Sequence, residues 1–416
     1  MTGERAAPVW APGLRHLTAD EPPIPLRLRE RLEDFEVEEL PSFRPSGEGE
    51  HLLLFVEKRG LSTPALAARA RATFDLPPAA VGFAGRKDAR AVTRQWLSLS
   101  GVPSERAPEL EGEGVRVLEV TRNTRKLRLG ALAGNRFRLL LRGVAPADLP
   151  RLTQSLTRLA EHGLPNYFGA QRFGRSGRGH ELGLRLVEGD ARGYLEAWLS
   201  PDHAPEGEAV AELREAVRSG ERAALRGARG LAPRLPRELA RLARQLARRP
   251  GDWTSALRAL ERTTLTMHLS ALQSRAFNRL LASRLETFDE PLEGDVVALH
   301  GGGSRFEVTA AEDLGELRRR AAALELSPTG LLFGGREGLA AGRPGQLERA
   351  ALEAEGVDPA APVRPVGARL PGGRRPLRVP IANLGHESTP EGVRLRFDLP
   401  PGSFATTLVS ELSKAP

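Results

Sequence analysis

The stretch FAGRKDARAVTRQW, Phe83 to Trp96, decides how this chain is read. Apolar Val81, Phe83 and Ala84 lead into it, and Val92, Trp96, Leu97 and Leu99 lead out. That spacing predicts a strand, a tight turn at Gly85 carrying Asp88, and a second strand. Asp88 is the one carboxylate between Gly85 and Gln95, behind Arg86 and Lys87 and ahead of Arg90 and Arg94. An aspartate in a basic run is ordinarily a solvated turn residue. In a buried site, the same neighbours favour its ionised form, which suits a base or a nucleophile.

Upstream of this stretch, Leu26 and Leu28, then Phe35 and Val37, alternate with charges as half-buried strands do, and His51 to Val56 reads as another strand. Ser62, Thr63 and Pro64 announce a helix running to about Thr73, with a hydroxyl cap ahead of a proline at the first helical position. Downstream, Val115 to Val120 and Phe137 to Leu141 are further strands, so the N-terminal third predicts a sheet-rich α+β unit. Residues 1 to 23, proline-rich and aperiodic, read as a loose leader.

Past Leu149 the apolar period becomes helical and stays so to about Leu324. Leu239, Leu242 and Leu246 share one helix face, while Arg237, Arg241, Arg244 and Arg248 stripe another, which either follows phosphates or keeps the helix soluble. Residues 328 to 376, rich in glycine and proline, predict loop with one short helix near Gln346 to Glu355. Val393, Leu395, Phe397 and Leu399 alternate again as a strand. Sheet, then helices, then sheet suggests that the last strand rejoins the first unit and the helical middle is inserted.

The 416 residues include no cysteine, which excludes disulfides, thiolate metal sites and cysteine nucleophiles. The eight histidines form no HExxH-like pair, so no metal site is expected. No run of 18 apolar residues and no N-terminal charged-then-apolar block appears, so a cytoplasmic protein without a membrane partner is expected. The formal charge is +8, and Ala211 to Pro250 alone, with eleven arginines against four glutamates, contributes +7. A polyanion such as RNA is the natural partner for that surface.

Several further blocks stand in order along the chain: LEDFEVEEL (Leu32 to Leu40), GEGEH (Gly47 to His51), RKLRLGALAGNRF (Arg125 to Phe137), GLPNYFGAQRFG (Gly163 to Gly174), ALQSRAFNRLLASRL (Ala271 to Leu285), Gly294–Asp295 and LPPGSFATTLVSEL (Leu399 to Leu412). Together with the Asp88 stretch, they resemble the tRNA pseudouridine synthase D family over nearly the whole chain. The resemblance implies an α+β fold with a discontinuous catalytic domain on a mainly antiparallel sheet, residues 1–162 and 378–416, and a largely helical inserted domain, residues 163–377. It implies an isomerase that turns uridine into pseudouridine in tRNA, at position 13 of the D arm, with no cofactor and no obligate protein partner. It assigns Asp88 as the catalytic aspartate and Phe137 as the ring beneath the extruded base. Arg29, where the family usually has lysine, would pair with Asp88 through two parallel hydrogen bonds, unless it is an exposed strand arginine. Arg86, Lys87, Lys126 and Arg128 are then placed to meet phosphates, Asn135 to hold the site by hydrogen bonds, and Arg172 to contact RNA or to serve the joint between domains. FGRSGRG, Phe173 to Gly179, does not match a dinucleotide fingerprint. A hydrolase using two carboxylates would need a partner for Asp88 among Glu33, Asp34, Glu38 and Glu39, and a third reading is a protein that binds or remodels tRNA.

Overall fold

The computed structural model describes residues 14–335, 337–360 and 368–415. The first thirteen residues of the expected leader lie outside them. Two compact units divide the chain, one made of 18–164 with 379–415, the other of 165–378 with the segment up to Leu17.

The first unit is built on an eight-stranded sheet. Its strands are β1 (Phe35–Pro41), β2 (His51–Arg59), β3 (Val81–Phe83), β4 (Val92–Ser100), β5 (Val115–Asn123) and β6 (Leu132–Arg142), joined after the insert by two late strands. The chain passes out and back through a two-stranded ribbon, β7 (Leu164–Pro165) with a late strand, Arg378–Val379. In the second unit come β8 (Val296–Leu299), β9 (Arg305–Glu307), β10 (Leu326–Leu332) and β11 (Gly373–Pro376). Arg378–Val379 is then β12, and β13 (Ala382–Thr389) and β14 (Gly392–Leu399) complete the first sheet in the order β13-β14-β6-β1-β4-β2-β5, with β3 on β4. Only β1 and β4 run parallel among the registered pairs of this sheet; the rest are antiparallel.

Strand period fixes which side chains meet. Leu52, Leu54 and Val56 of β2 and Leu97 and Leu99 of β4 turn to one face, where Leu66, Ala70 and Phe74 of α1 (Thr63–Phe74) cover them. The helix begins as expected, with the Ser62 hydroxyl accepting from Ala65 N and Pro64 in the first turn. On the opposite face Leu53 and Trp96 pack with Leu127, Phe43 and Phe55. Two more helices, α2 (Leu149–His162) and a C-terminal Ala405–Ser413, belong to this unit.

The second unit carries α3 (Gly179–Val187), α4 (Ala191–Trp198), α5 (Glu208–Ser219), α6 (Arg222–Gly227), α7 (Arg237–Arg248), α8 (Trp253–Leu257), α9 (Arg262–Ser283), α10 (Leu314–Ala322) and α11 (Gly342–Glu353). Leu239, Leu242 and Leu246 of α7 are buried as their spacing requires, and Arg237, Arg244 and Arg248 are exposed. Arg241 instead pairs with Glu261.

Several expectations need correction. Residues 328–376 hold more than loop and one helix: β10 and β11 pair antiparallel there, and with β8 and β9 they make a four-stranded sheet. Neither strand shows alternation, because β10 is buried along nearly its whole length and β11 is uniformly half-buried. The helix in this region starts at Gly342, earlier than Gln346. Leu26 and Leu28 do not build a strand; Arg27 alone bridges to Arg142. The described end of the leader is not loose either. Thr18 is fully buried, its hydroxyl donates to Glu411 O at 2.8 Å, and Ile24 N donates to Leu412 O at 3.0 Å, which ties it to α12 (Ala405–Ser413).

Candidate active site

The segment between β3 and β4 carries Asp88 and is fastened at several points. Lys87 N donates to the Thr63 hydroxyl at 2.8 Å, and that hydroxyl donates to Gln95 Oε1 at 2.8 Å. Gln95 and Thr63 are buried, so these bonds are shielded from water. Lys58, at the end of β2, is fully buried and donates from Nζ to Leu61 O at 2.5 Å and to Asp88 O at 2.9 Å. Burial lowers the Lys58 ammonium to about 8, against the attraction of Asp88 and helped by repulsion from Lys87. A Cβ at Gly85 would lie 2.9 Å from Lys87 Nζ and 3.3 Å from Glu39 Oε2, so a side chain there would press on that buried pair.

Lys87, expected at the surface to meet phosphate, is buried instead. Its ammonium is turned inward to Glu39 Oε2 at 2.7 Å, with side chains 4% and 0% exposed, and Trp96 N also donates to Glu39. Alternation explains why: Glu39 sits with Phe35 and Val37 on the face of β1 that this segment covers, and an unpaired buried carboxylate would be costly. Burial raises the Glu39 pKa, outweighing Lys87 and the Trp96 amide. Sequence reading missed Lys58, and it considered Glu39 only as a second carboxylate for a hydrolase. The signal available was an ionisable residue at an inward position of a strand pattern.

Asp88 and Arg29 meet as expected. Arg29 Nη2 donates to Asp88 Oδ2 at 2.8 Å, with side chains 22% and 29% exposed, so the carboxylate is held yet open. The pair makes one hydrogen bond, not the anticipated parallel two. The guanidinium lies 3.8 Å above the Phe35 ring, and its Nε has no partner among the described residues. Arg29 is not a strand residue: its φ of 64° is left-handed, a conformation that costs a non-glycine residue about 1–3 kcal/mol and collects at functional sites.

Phe35 joins this pair to Phe137, edge to face with ring centres 6.2 Å apart. Phe137 also stacks on Phe397 of β14 at 5.3 Å and is 6% exposed. The side-chain amide oxygen of Asn135, two residues earlier on the same face of β6, is buried with no hydrogen-bond partner among the described residues. Such an orphan acceptor is a cost unless something donates to it.

Arg86 and Arg128 are exposed. Lys126 and Arg128 line a cavity of about 610 Å³ with Arg125, His51, Asn123 and Phe43, and Lys126 Nζ bonds Ala79 O. Arg172 belongs to the second unit, where Nη2 donates to Ser270 Oγ at 3.1 Å and the guanidinium lies over Phe168. Beside it Arg375 stacks 4.0 Å above the same ring and donates to Asn166 O. Burial lowers the pKa of Arg172, and that of Arg375 to about 9. Each of the four acids considered as a second catalytic carboxylate has a cation: Glu33 has Arg59, Asp34 has Arg142, Glu38 has Arg138 and Glu39 has Lys87.

Fold and site together define a mixed α/β protein whose interrupted, mainly antiparallel sheet presents an arginine-paired aspartate beside a cluster of phenylalanines. The family model of tRNA pseudouridine synthase D (TruD) matches residues 11–412. Similar sequences include tRNA pseudouridine synthase D of Geobacter metallireducens, 40% identical over 96% of this chain and 98% of the relative, and that of a Thermus thermophilus strain, 36% identical over 96% and 91%. A crystal structure of a putative tRNA pseudouridine synthase D from Methanosarcina mazei shares the fold, with a TM-score of 0.75 at 24% identity and 97% of each chain covered. The chain belongs to the tRNA pseudouridine synthase D family.

Proposed function

We propose that this chain is a tRNA pseudouridine synthase acting at uridine 13 of the D arm, with Asp88 as its catalytic carboxylate, the unit of 18–164 and 379–415 as its catalytic domain and 165–378 as the family's inserted domain. The observation that carries the reading is the Arg29–Asp88 pair, left partly open to solvent and linked through Phe35 to Phe137. The reaction breaks the bond from ribose C1′ to uracil N1, turns the base and rejoins it through C5. Substrate and product contain the same atoms, so redox, metal or nucleotide chemistry is not required by the balance. An ionised carboxylate at the sugar is required, whether it attacks C1′ or takes the C2′ proton.

The uridine must leave its stack to reach such a group. Phe137, on the sheet face that it shares with Phe35 and Phe397, serves as the platform for the base. Asn135 Oδ1 lies on the same strand face and accepts from the uracil N3–H, which gives the orphan oxygen its partner. Arg86, Lys126, Arg128 and Arg172 contact the RNA backbone, as do the exposed arginines of α7. A cytoplasmic location follows from a tRNA substrate, and among the described residues no helix is long and apolar enough to cross a membrane.

Asp88→Asn keeps the shape of the side chain and removes its charge. Pseudouridine mapping of tRNA incubated with the variant is expected to show none at position 13, with RNA affinity within about twofold of wild type. Wild-type levels of pseudouridine from Asp88→Asn would end the proposal. Release of free uracil would favour a hydrolase. Assistance to tRNA folding that survives in Asp88→Asn would favour the binding reading.

A further inference from the structure

We propose that the Lys58 ammonium is a positioning group for the isomerisation, holding Asp88 by its backbone carbonyl so that turnover, and not RNA binding, depends on its proton. The inference rests on Asp88 being the reactive carboxylate.

A lysine at an inward strand position is an expensive choice. Burying an ammonium costs several kcal/mol, and an apolar side chain of similar volume would pack at no such cost. Lys58 is nonetheless 0% exposed, between Leu54 and Val56 on the α1 side of β2 and the segment that carries Asp88. Its hydrogen bonds go to two carbonyl oxygens, those of Leu61 and Asp88. Neither acceptor is a carboxylate, so the ammonium is not there to neutralise a buried acid. Its charge joins the turn after β2 to the residue whose carboxylate Arg29 holds from the other side. A neutral amine at the same place keeps the chain length but gives up the charge-assisted bonds, which are about twice as strong as neutral ones.

The charged groups around it are few. Asp88 attracts and Lys87, from the same segment, repels. Across β4 its register partner is Thr93 and across β5 it is Val115, both uncharged. Thr63, at the start of α1, is uncharged too, and Glu57 and Arg59, one step along β2, alternate to the other face, where they pair with Arg94 and Glu33. Burial brings the ammonium to about 8, so it loses its proton just above neutrality. The sign separates this device from unfolding. A lysine with a depressed folded value binds fewer protons folded than unfolded between about 8 and 10.5, so its contribution to stability rises over that window while the hold on Asp88 fails.

The test measures single-turnover pseudouridine formation at saturating tRNA from pH 6.5 to 9.5 for wild type, Lys58→Met and Lys58→Gln, with tRNA affinity and circular dichroism at each pH. Wild type is expected to lose about tenfold in rate per pH unit above about 8 while remaining folded. Lys58→Met is expected to be at least 100-fold slower at pH 7, to bind tRNA within twofold of wild type, and to show no break near 8. Amide hydrogen exchange across residues 84–91 is expected to speed up at least tenfold in Lys58→Met. A wild-type rate that holds or rises to pH 9.5, or a folded Lys58→Met with wild-type rate and exchange, overturns the inference. If neither variant folds, the wild-type pH profile decides alone. A wild type that makes no pseudouridine at any pH sinks the proposed function instead, and the exchange measurement still decides whether Lys58 holds the segment.

Discussion

Lys87→Met is the sharpest test of how the Asp88 segment is built, because sequence and structure assign Lys87 opposite roles. In the sequence it stands in a basic run beside Asp88 and looks like a phosphate contact; in the fold its ammonium is sealed against Glu39, side chains 4% and 0% exposed. Methionine fills the same volume and leaves Glu39 without its cation. Breaking a buried pair by removing one partner costs about 3–5 kcal/mol, because the remaining charge stays desolvated. The Glu39 pKa is already raised by burial despite Lys87, and losing Lys87 raises it further. A carboxyl raised in the folded state binds more protons folded than unfolded, so its contribution falls as pH rises from the ordinary 4.5 through the folded value. The deficit of Lys87→Met is therefore largest at neutral pH and shrinks as acid protonates Glu39. Urea unfolding followed by circular dichroism at pH 7 and pH 5 measures the deficit on either side of that change. The salt dependence of tRNA binding should be unchanged. A variant as stable as wild type whose binding loses salt dependence would refute the inward role and restore Lys87 to the RNA surface.

Arg29 and Asp88 share one hydrogen bond, so a point charge can stand in for the guanidinium: Arg29→Lys is expected to keep kcat/KM within about tenfold, and Arg29→Ala to lose about 10- to 100-fold, the equivalent of one charge-assisted bond. Equal losses in both would show that stacking on Phe35 matters more than the charge. Replacing Arg237, Arg244 and Arg248 of α7 together by alanine should lower the slope of log affinity against log salt by about 3, near 0.9 per phosphate contacted; an unchanged slope would make that stripe a solvated face. Phe137→Leu keeps the contacts with Phe35 and Phe397 apolar and removes the ring, so stability should fall by about 1–3 kcal/mol, two lost ring pairs, while pseudouridine formation drops at least tenfold in the folded variant. Full activity in that variant would remove the stacking role.

Local chemistry was enough to read much of this protein. The cap at Ser62, the strands around Asp88 and the leucine face of α7 follow from period and end signals that operate over a few residues, and the ordered blocks of residues carried the family. The meeting of Arg29 with Asp88, 59 residues apart, was legible only through the resemblance, since no local rule brings those positions together. The strands β10 and β11 were hidden because one is buried on both faces and the other half-buried throughout, so neither alternates. What the tertiary structure alone decided is which charges near Asp88 are used and which are stored. Lys58, Lys87 and Glu39 look in sequence like any charged residues of a soluble chain, and they are buried because the Asp88 segment, which carries Lys87, folds back over the face of β1 and β2 that carries Glu39 and Lys58. Pairing of ionic groups across such a fold depends on distances between segments far apart in the chain, and those distances exist only once the sheet has closed around them.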